Sequence, residues 1–173
     1  WGGGAPLRQV AAVAADSPIE FEPGTSILYS NTGIDIGAAI VEVVTGMKWE
    51  DYLKQEVLDP LGMKSTWFWP TDKQLKKKVE LYAFKGGAPA EWVEEMAWQQ
   101  RPYNDSHVFA SAGAGLWTTA QDQLKFYKML MNLGVGDNGV RILKEETVKF
   151  ILAVSTRPEN MSGYSLGLSA PAK

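Results

Sequence analysis

The chain has 173 residues, 45% hydrophobic and 21% charged, with a net charge of −3 and no cysteine. That is the composition of one globular domain with a sizeable core, and it lacks the basic footprint of a nucleic-acid binder. Disulfides and thiol catalysis are excluded, and no apolar run reaches membrane-spanning length.

Residues 1–6 are glycine-rich and expected to be irregular, and a start at Trp1-Gly2-Gly3-Gly4 without methionine reads as an internal piece of something longer. Residues 7–15 have a helix-compatible composition, ended by Ser17-Pro18 because the residue before a proline is pushed out of the α region. Pro23-Gly24 is turn chemistry, and the β-branched and aromatic run 25–29 leaves it as one extended segment. If Tyr29, Ser30 and Asn31 stay extended, their side chains alternate. Tyr29 and Asn31 then face one side and Ser30 the other. A phenol and a carboxamide are thus aimed together from a short connector.

Residues 32–45 are the clearest helix. Ile34, Ile36, Ile40, Val41, Val43 and Val44 make it apolar nearly all round, Asp35 and Glu42 leave a thin polar stripe, and the expected place is inside a core. Asn31 or Thr32 is the expected N-cap, and Gly46 the left-handed residue at the other end. A helix over 49–57 places Trp49, Tyr52, Leu53 and Val57 on one face, with Glu50 and Asp51 in its positive first turn. Asp59-Pro60 closes it, and Leu61-Gly62-Met63 makes a tight apolar corner.

Trp67, Phe68 and Trp69 form an aromatic cluster, mostly core but available to a cleft, and Lys76, Lys77 and Lys78 a solvated basic run. Residues 79–84 alternate as a short strand before Gly86-Gly87, and 91–100 read as a helix with Trp92 and Met96 inward. Residues 110–117 (A-S-A-G-A-G-L-W) are a small-residue loop that lets backbone approach a ligand or a strand. A helix over 120–133, capped by Thr118-Thr119, turns Leu124, Tyr127, Leu130 and Met131 inward. A last helix covers 145–152, and 162–169 form a strand.

Taken alone, Tyr29 reads first as a half-buried core aromatic and Asn31 as a helix cap. In context the stretch says more. F-E-P-G-T-x-x-x-Y-S-N, ending at Tyr29-Ser30-Asn31, resembles the second active-site motif of the serine β-lactamase and penicillin-binding protein superfamily, in its class C β-lactamase, D,D-peptidase and carboxylesterase branch. The resemblance continues through Gly46, through Pro60-Leu61-Gly62-Met63 to Thr66, through A-G-A-G-L-W-T-T-A-x-D at 112–122, and through Arg141-Ile142-Leu143 and Thr147-Val148.

The resemblance implies a role for each polar residue. Tyr29 would move a proton to or from a nucleophilic serine, and because a free phenol has a pKa near ~10 a cation must assist it. Asn31 would hydrogen-bond a substrate amide and the catalytic lysine. Ser30 would be structural.

Two family motifs are missing. No serine here is followed three residues later by lysine, and Lys64-Ser65-Thr66 and His107-Val108-Phe109 each lack the glycine of Lys-Thr-Gly or His-x-Gly. In the family the first motif lies upstream of Tyr29 and the third downstream of Leu168, so residues 1–173 are expected to be a central fragment, catalytically inactive alone. Gly163-Tyr164-Ser165-Leu166-Gly167 matches a nucleophile elbow, but no acid and histidine follow it. His107 reads as a loop histidine rather than a general base. No cofactor is implied, and one histidine without cysteine offers no clustered metal ligands.

The expected fold class is therefore mainly α with short strands: the helical subdomain and the adjoining part of an α+β β-lactamase/transpeptidase-like fold. Within one unit of 173 residues, 21–31 carry the turn and the motif and 32–153 the mainly helical region. The implied reaction is acyl transfer on a β-lactam, a D-amino-acid peptide or a carboxyl ester, and the resemblance alone suggests a periplasmic or secreted parent. The competing expectation is a non-catalytic protein that binds a peptide or cell-wall ligand. A fragment of this kind is also expected to self-associate through uncovered apolar surface.

Overall fold

Residues Leu7–Ala15 form helix α1 in the computed structural model, which describes residues 5–26, 28–79, 82–85, 88–92, 107–153, 164–165 and 168–169. The helix ends on Asp16, just ahead of Ser17-Pro18. Helix α2 runs Asn31–Thr45. Its N-cap is Ser30 and not Asn31 or Thr32: Ser30 stays extended, and its Oγ accepts from the Gly33 N–H at 3.1 Å. Gly46 closes α2 at φ 72°, its N–H donating to the Glu42 carbonyl at 2.9 Å.

Helix α3, Trp49–Leu53, runs on through a π-helical turn, Lys54–Leu58, so the expected helix over 49–57 is present with its last part widened. A single turn, α4 (Asp72–Leu75), is closed at its start by a capping box between Thr71 and Gln74. Strand β1 (Tyr82–Lys85) pairs antiparallel with β2 (Ala88–Trp92). Glu91 and Trp92 are therefore strand, where a helix over 91–100 was expected; cross-strand pairing overrides a weak local preference. Residues 93–100 lie outside those described.

Helix α5 (Ala120–Met131) starts under Thr119, whose Oγ1 accepts from the Asp122 N–H at 3.3 Å. Helix α6 spans Glu145–Ala153. The stretch read as one strand over 162–169 is two short ones, β3 (Tyr164–Ser165) and β4 (Leu168–Ser169), paired antiparallel. Ser165 sits opposite Leu168 in that ladder, which is no nucleophile elbow. The architecture among the described residues is mainly helical with short strands, as the sequence implies.

Two apolar clusters hold these elements. Leu58, Leu61 and Met63 pack with Met129 and Leu130 of α5 and Val148 of α6. Leu7 of α1, Ala38 and Ala39 of α2 and Phe109 make the second. Trp67 and Trp117 exchange backbone hydrogen bonds at 2.8 and 2.9 Å, tying the segment after α3 to the segment before α5.

Helix α2 does not sit inside a core on all sides. Asp35, Ala38, Ala39 and Glu42 are its buried face, while Ile34, Ile40, Val43 and Val44 are exposed, Val44 at 79%. The acids turn inward because each has partners to meet. Glu42 takes Arg8 Nε at 3.1 Å and the Trp49 N–H at 2.9 Å, joining α1, α2 and α3. A carboxylate with charged and amide donors can be buried where an unpaired one could not.

Helix α5 is turned relative to expectation for the same reason. Leu130 is buried, but Leu124, Tyr127 and Met131 are exposed. The buried side begins at Asp122, 3% exposed, which accepts from the Ser65 N–H (2.6 Å), Thr66 Oγ1 (3.1 Å) and Lys125 Nζ (2.8 Å). Lys125 also donates to the Gly62 carbonyl.

Burial by itself pushes the Asp122 carboxyl up, but Lys125, Ser65 and Thr66 outweigh it and hold it below the usual range. A depressed folded-state pKa means the stabilisation is complete above the unfolded value near ~3.9 and is lost as pH falls through the folded one. Asp122→Ala is expected to cost about 2–3 kcal/mol at neutral pH. In urea titrations the gap between parent and variant should narrow below pH ~4. A gap that stayed constant into acid would remove the carboxylate's charge from this account.

Candidate active site

Tyr29 Oη donates to Asn31 Oδ1 at 2.9 Å. The two side chains share a side of the connector, as alternation of an extended segment requires, and Ser30 turns the other way to cap α2. Tyr29 is 64% exposed, so it is not a half-buried core aromatic, and Asn31 is the first residue of α2 rather than its cap.

Asp35 lies one turn beyond Asn31 and is 5% exposed. Its Oδ1 accepts from the Ala112 N–H at 2.7 Å, the Gly113 N–H at 3.2 Å and Ser111 Oγ at 3.1 Å. The next two amides turn back on the loop itself: Ala114 N–H donates to Ser111 Oγ at 3.2 Å and Gly115 N–H to the Ser111 carbonyl at 2.9 Å. Four successive amides are thus engaged within the protein. The small-residue loop approaches helix α2 through residues 111–113, and at its end Trp117 pairs with the extended backbone of Trp67.

Gly113 is the point of closest approach. A Cβ there would stand 2.8 Å from Asn31 Cβ and 3.0 Å from the Asn31 Cα and carbonyl oxygen. Glycine is needed because backbone meets backbone. Asp35 is the residue that sequence reasoning missed, having been counted only as part of a thin polar stripe on an otherwise apolar helix. The helix pattern leaves two places for such an acid, facing water or facing donors, and does not choose between them.

Other candidates fall elsewhere. His107 is exposed and stacks on Trp69, with ring centroids 5.0 Å apart and planes at 19°. Of Lys64-Ser65-Thr66, the Ser65 N–H and Thr66 Oγ1 are bound into the Asp122 network. Trp67, Phe68 and Trp69 line a cleft of about 370 Å³ with Glu50, Asp51 and Lys54, and neither Tyr29 nor Asn31 is in its wall. Burial pushes the Glu50 carboxyl up, against the pull of its own backbone hydrogen bond and of Lys48. Among the described residues no three acids or histidines converge closely enough to hold a metal ion, and no helix is long and apolar enough to cross a membrane.

A mainly helical body with a tyrosine–asparagine pair at the entry to its apolar helix belongs to the β-lactamase/transpeptidase-like class of folds. The solved structure of EstCE1, titled a hydrolase with promiscuous acyltransferase activity, superposes with a TM-score of 0.79 at 21% identity, over 98% of this chain and 47% of that one. An uncharacterized protein of Mycobacterium tuberculosis is 30% identical over 144 residues, covering 81% of this chain and 33% of its own. Lovastatin esterase of Penicillium rubens is 29% identical, over 89% of this chain and 37% of its own. The Beta-lactamase family model matches residues 1–169. The chain belongs to the β-lactamase family, and it spans about a third of the length of these two relatives.

Proposed function

We propose that this chain supplies the tyrosine–asparagine element of an acyl-transfer site in a β-lactamase-like serine hydrolase. The observation that carries the reading is the exposed Tyr29–Asn31 pair, joined at 2.9 Å and backed by the Gly113 loop. The nucleophilic serine and its lysine come from outside these 173 residues, since no Ser-x-x-Lys stands within them. As that serine attacks an amide or ester carbonyl, Tyr29 relays its proton towards the leaving group. With Oδ1 turned to the phenol, Asn31 has its NH₂ to offer a substrate carbonyl. Water then releases the acyl group. Substrates are the family's range of β-lactam, D-amino-acid peptide or carboxyl ester.

The chain alone should therefore hydrolyse neither a chromogenic cephalosporin nor a p-nitrophenyl ester. In a protein that also carries the nucleophile, Tyr29→Phe should lower kcat by about 10²–10⁴-fold with little change in KM. Turnover by the isolated chain that vanished on Tyr29→Phe would contradict the first expectation; an unchanged kcat in the longer protein would contradict the second.

A binding module on the same scaffold is the other reading. An intact serine and lysine in the complete gene would decide for the enzyme, and a substituted pair for the binder. In either case the uncovered apolar face of α2 gives the isolated chain a surface for pairing with a second copy.

A further inference from the structure

We infer that Asp35 is a positioning residue for Asn31: it holds residues 111–113 against the first turn of α2, and Gly113 then fixes the direction in which Asn31 presents its amide. The inference rests on the reading of Asn31 as a substrate-facing group.

The geometry carries it in three steps. Asn31 and Asp35 are four positions apart on one helix, hence on the same face one turn apart. Asp35 is buried and gathers two backbone amides and a hydroxyl from a segment 76 to 78 residues further along the chain. A carboxylate so enclosed by donors makes a strong and directional clamp. The loop it clamps comes so near Asn31 that even a methyl group on Gly113 would be 2.8 Å from Asn31 Cβ. Asn31 is itself exposed, with the Tyr29 hydroxyl on its Oδ1 and the Gly113 backbone against its Cα and Cβ. Asp35 touches no substrate. It sets the wall on which the amide leans.

The test is made on the isotopically labelled chain by NMR. In Asp35→Ala the Ala112 and Gly113 amides should exchange about 10- to 100-fold faster, and the Asn31 side-chain NH₂ pair should move towards the position of a free amide. Asp35→Asn should restore both, because its carbonyl oxygen can take the same two amides. Val148→Ala, in the other apolar cluster, should loosen the protein and leave the Asn31 pair where it is. Should Asp35→Ala fail to fold, Gly113→Ala serves: it keeps the Asp35 acceptors, and should shift the Asn31 pair while Ala112 stays protected. An Asn31 pair unmoved in a folded Asp35→Ala, or in Gly113→Ala, overturns the inference. So does an equal shift in Val148→Ala. Because the readout is side-chain geometry rather than turnover, an Asn31 found inert in catalysis would sink the functional reading and leave this one standing.

Discussion

Among the described glycines, Gly134→Ala should be the most damaging alanine substitution, costing about 3–5 kcal/mol. Gly134 stands at φ 94°, immediately after Leu133 at φ 51°, so two consecutive left-handed residues bring the chain out of α5. Its N–H donates to the Met129 carbonyl at 2.8 Å, and its own carbonyl accepts from Ile142 at 2.8 Å. That exchange ties the end of α5 to the segment leading into α6. A Cβ at this position would lie 2.0 Å from the Leu143 carbonyl oxygen and 2.8 Å from its carbon. Both are backbone, and neither can swing aside as a side chain would. The variant must break the Ile142 bond or shift Leu143 out of the cluster around Met129 and Val148.

Gly46→Ala is the control. Gly46 has φ 72° but nothing within 4 Å of the added carbon, so it bears only the conformational cost of about 1 kcal/mol. Urea unfolding of the two variants separates the terms. Gly134→Ala should lie some 2–4 kcal/mol below Gly46→Ala, a difference of roughly 5–15 °C in Tm for a chain of this size. Two variants within ~1 kcal/mol of each other would mean that the crowding around Leu143 costs nothing.

The course of α2 shows how far the sequence reaches. Its extent was readable because its end signals are local: a short polar residue before the first turn and Gly46 after the last. Its orientation was not. Composition marks Asp35 and Glu42 only as a thin polar stripe, whereas their partners are Ser111, Ala112 and Gly113 for the one, and Arg8 and Trp49 for the other. Nothing within the helix announces donors that far away along the chain. Tyr29 and Asn31 were legible because their pairing depends on two-residue alternation alone, and the hydrogen bond between them follows. The loop over 111–115 was legible as a place of close approach, since glycine and alanine permit one, but not as to what approaches. Helix α5 repeats the case of α2: Leu124, Tyr127 and Met131 have the spacing of a buried face, and the Asp122 network turns a different one inward.

With both of its acids facing in, α2 has no charge left to show the solvent. Its sequence contains no lysine or arginine, and Ile34, Ile40, Val43 and Val44 are all exposed. A neutral apolar face about three turns long is self-complementary, since two copies can meet across it about a two-fold axis with no like charges opposed. Removing a half-exposed isoleucine or valine from water is worth about 1–2 kcal/mol, so four of them on each of two copies can offset the entropy of association. The isolated chain should therefore dimerise, with an apparent mass in sedimentation that rises with concentration. Ile40→Asp together with Val44→Asp removes apolar area and opposes two pairs of like charges. The pair of substitutions should raise the dissociation constant at least about 10³-fold and leave the folded monomer intact, because neither side chain is buried in it. Leu124→Asp, on the exposed side of α5, should leave association as it was. A parent chain that stays monomeric at the highest concentration reached, or dimers that survive the α2 changes and are lost with Leu124→Asp, would show that α2 is not the contact face.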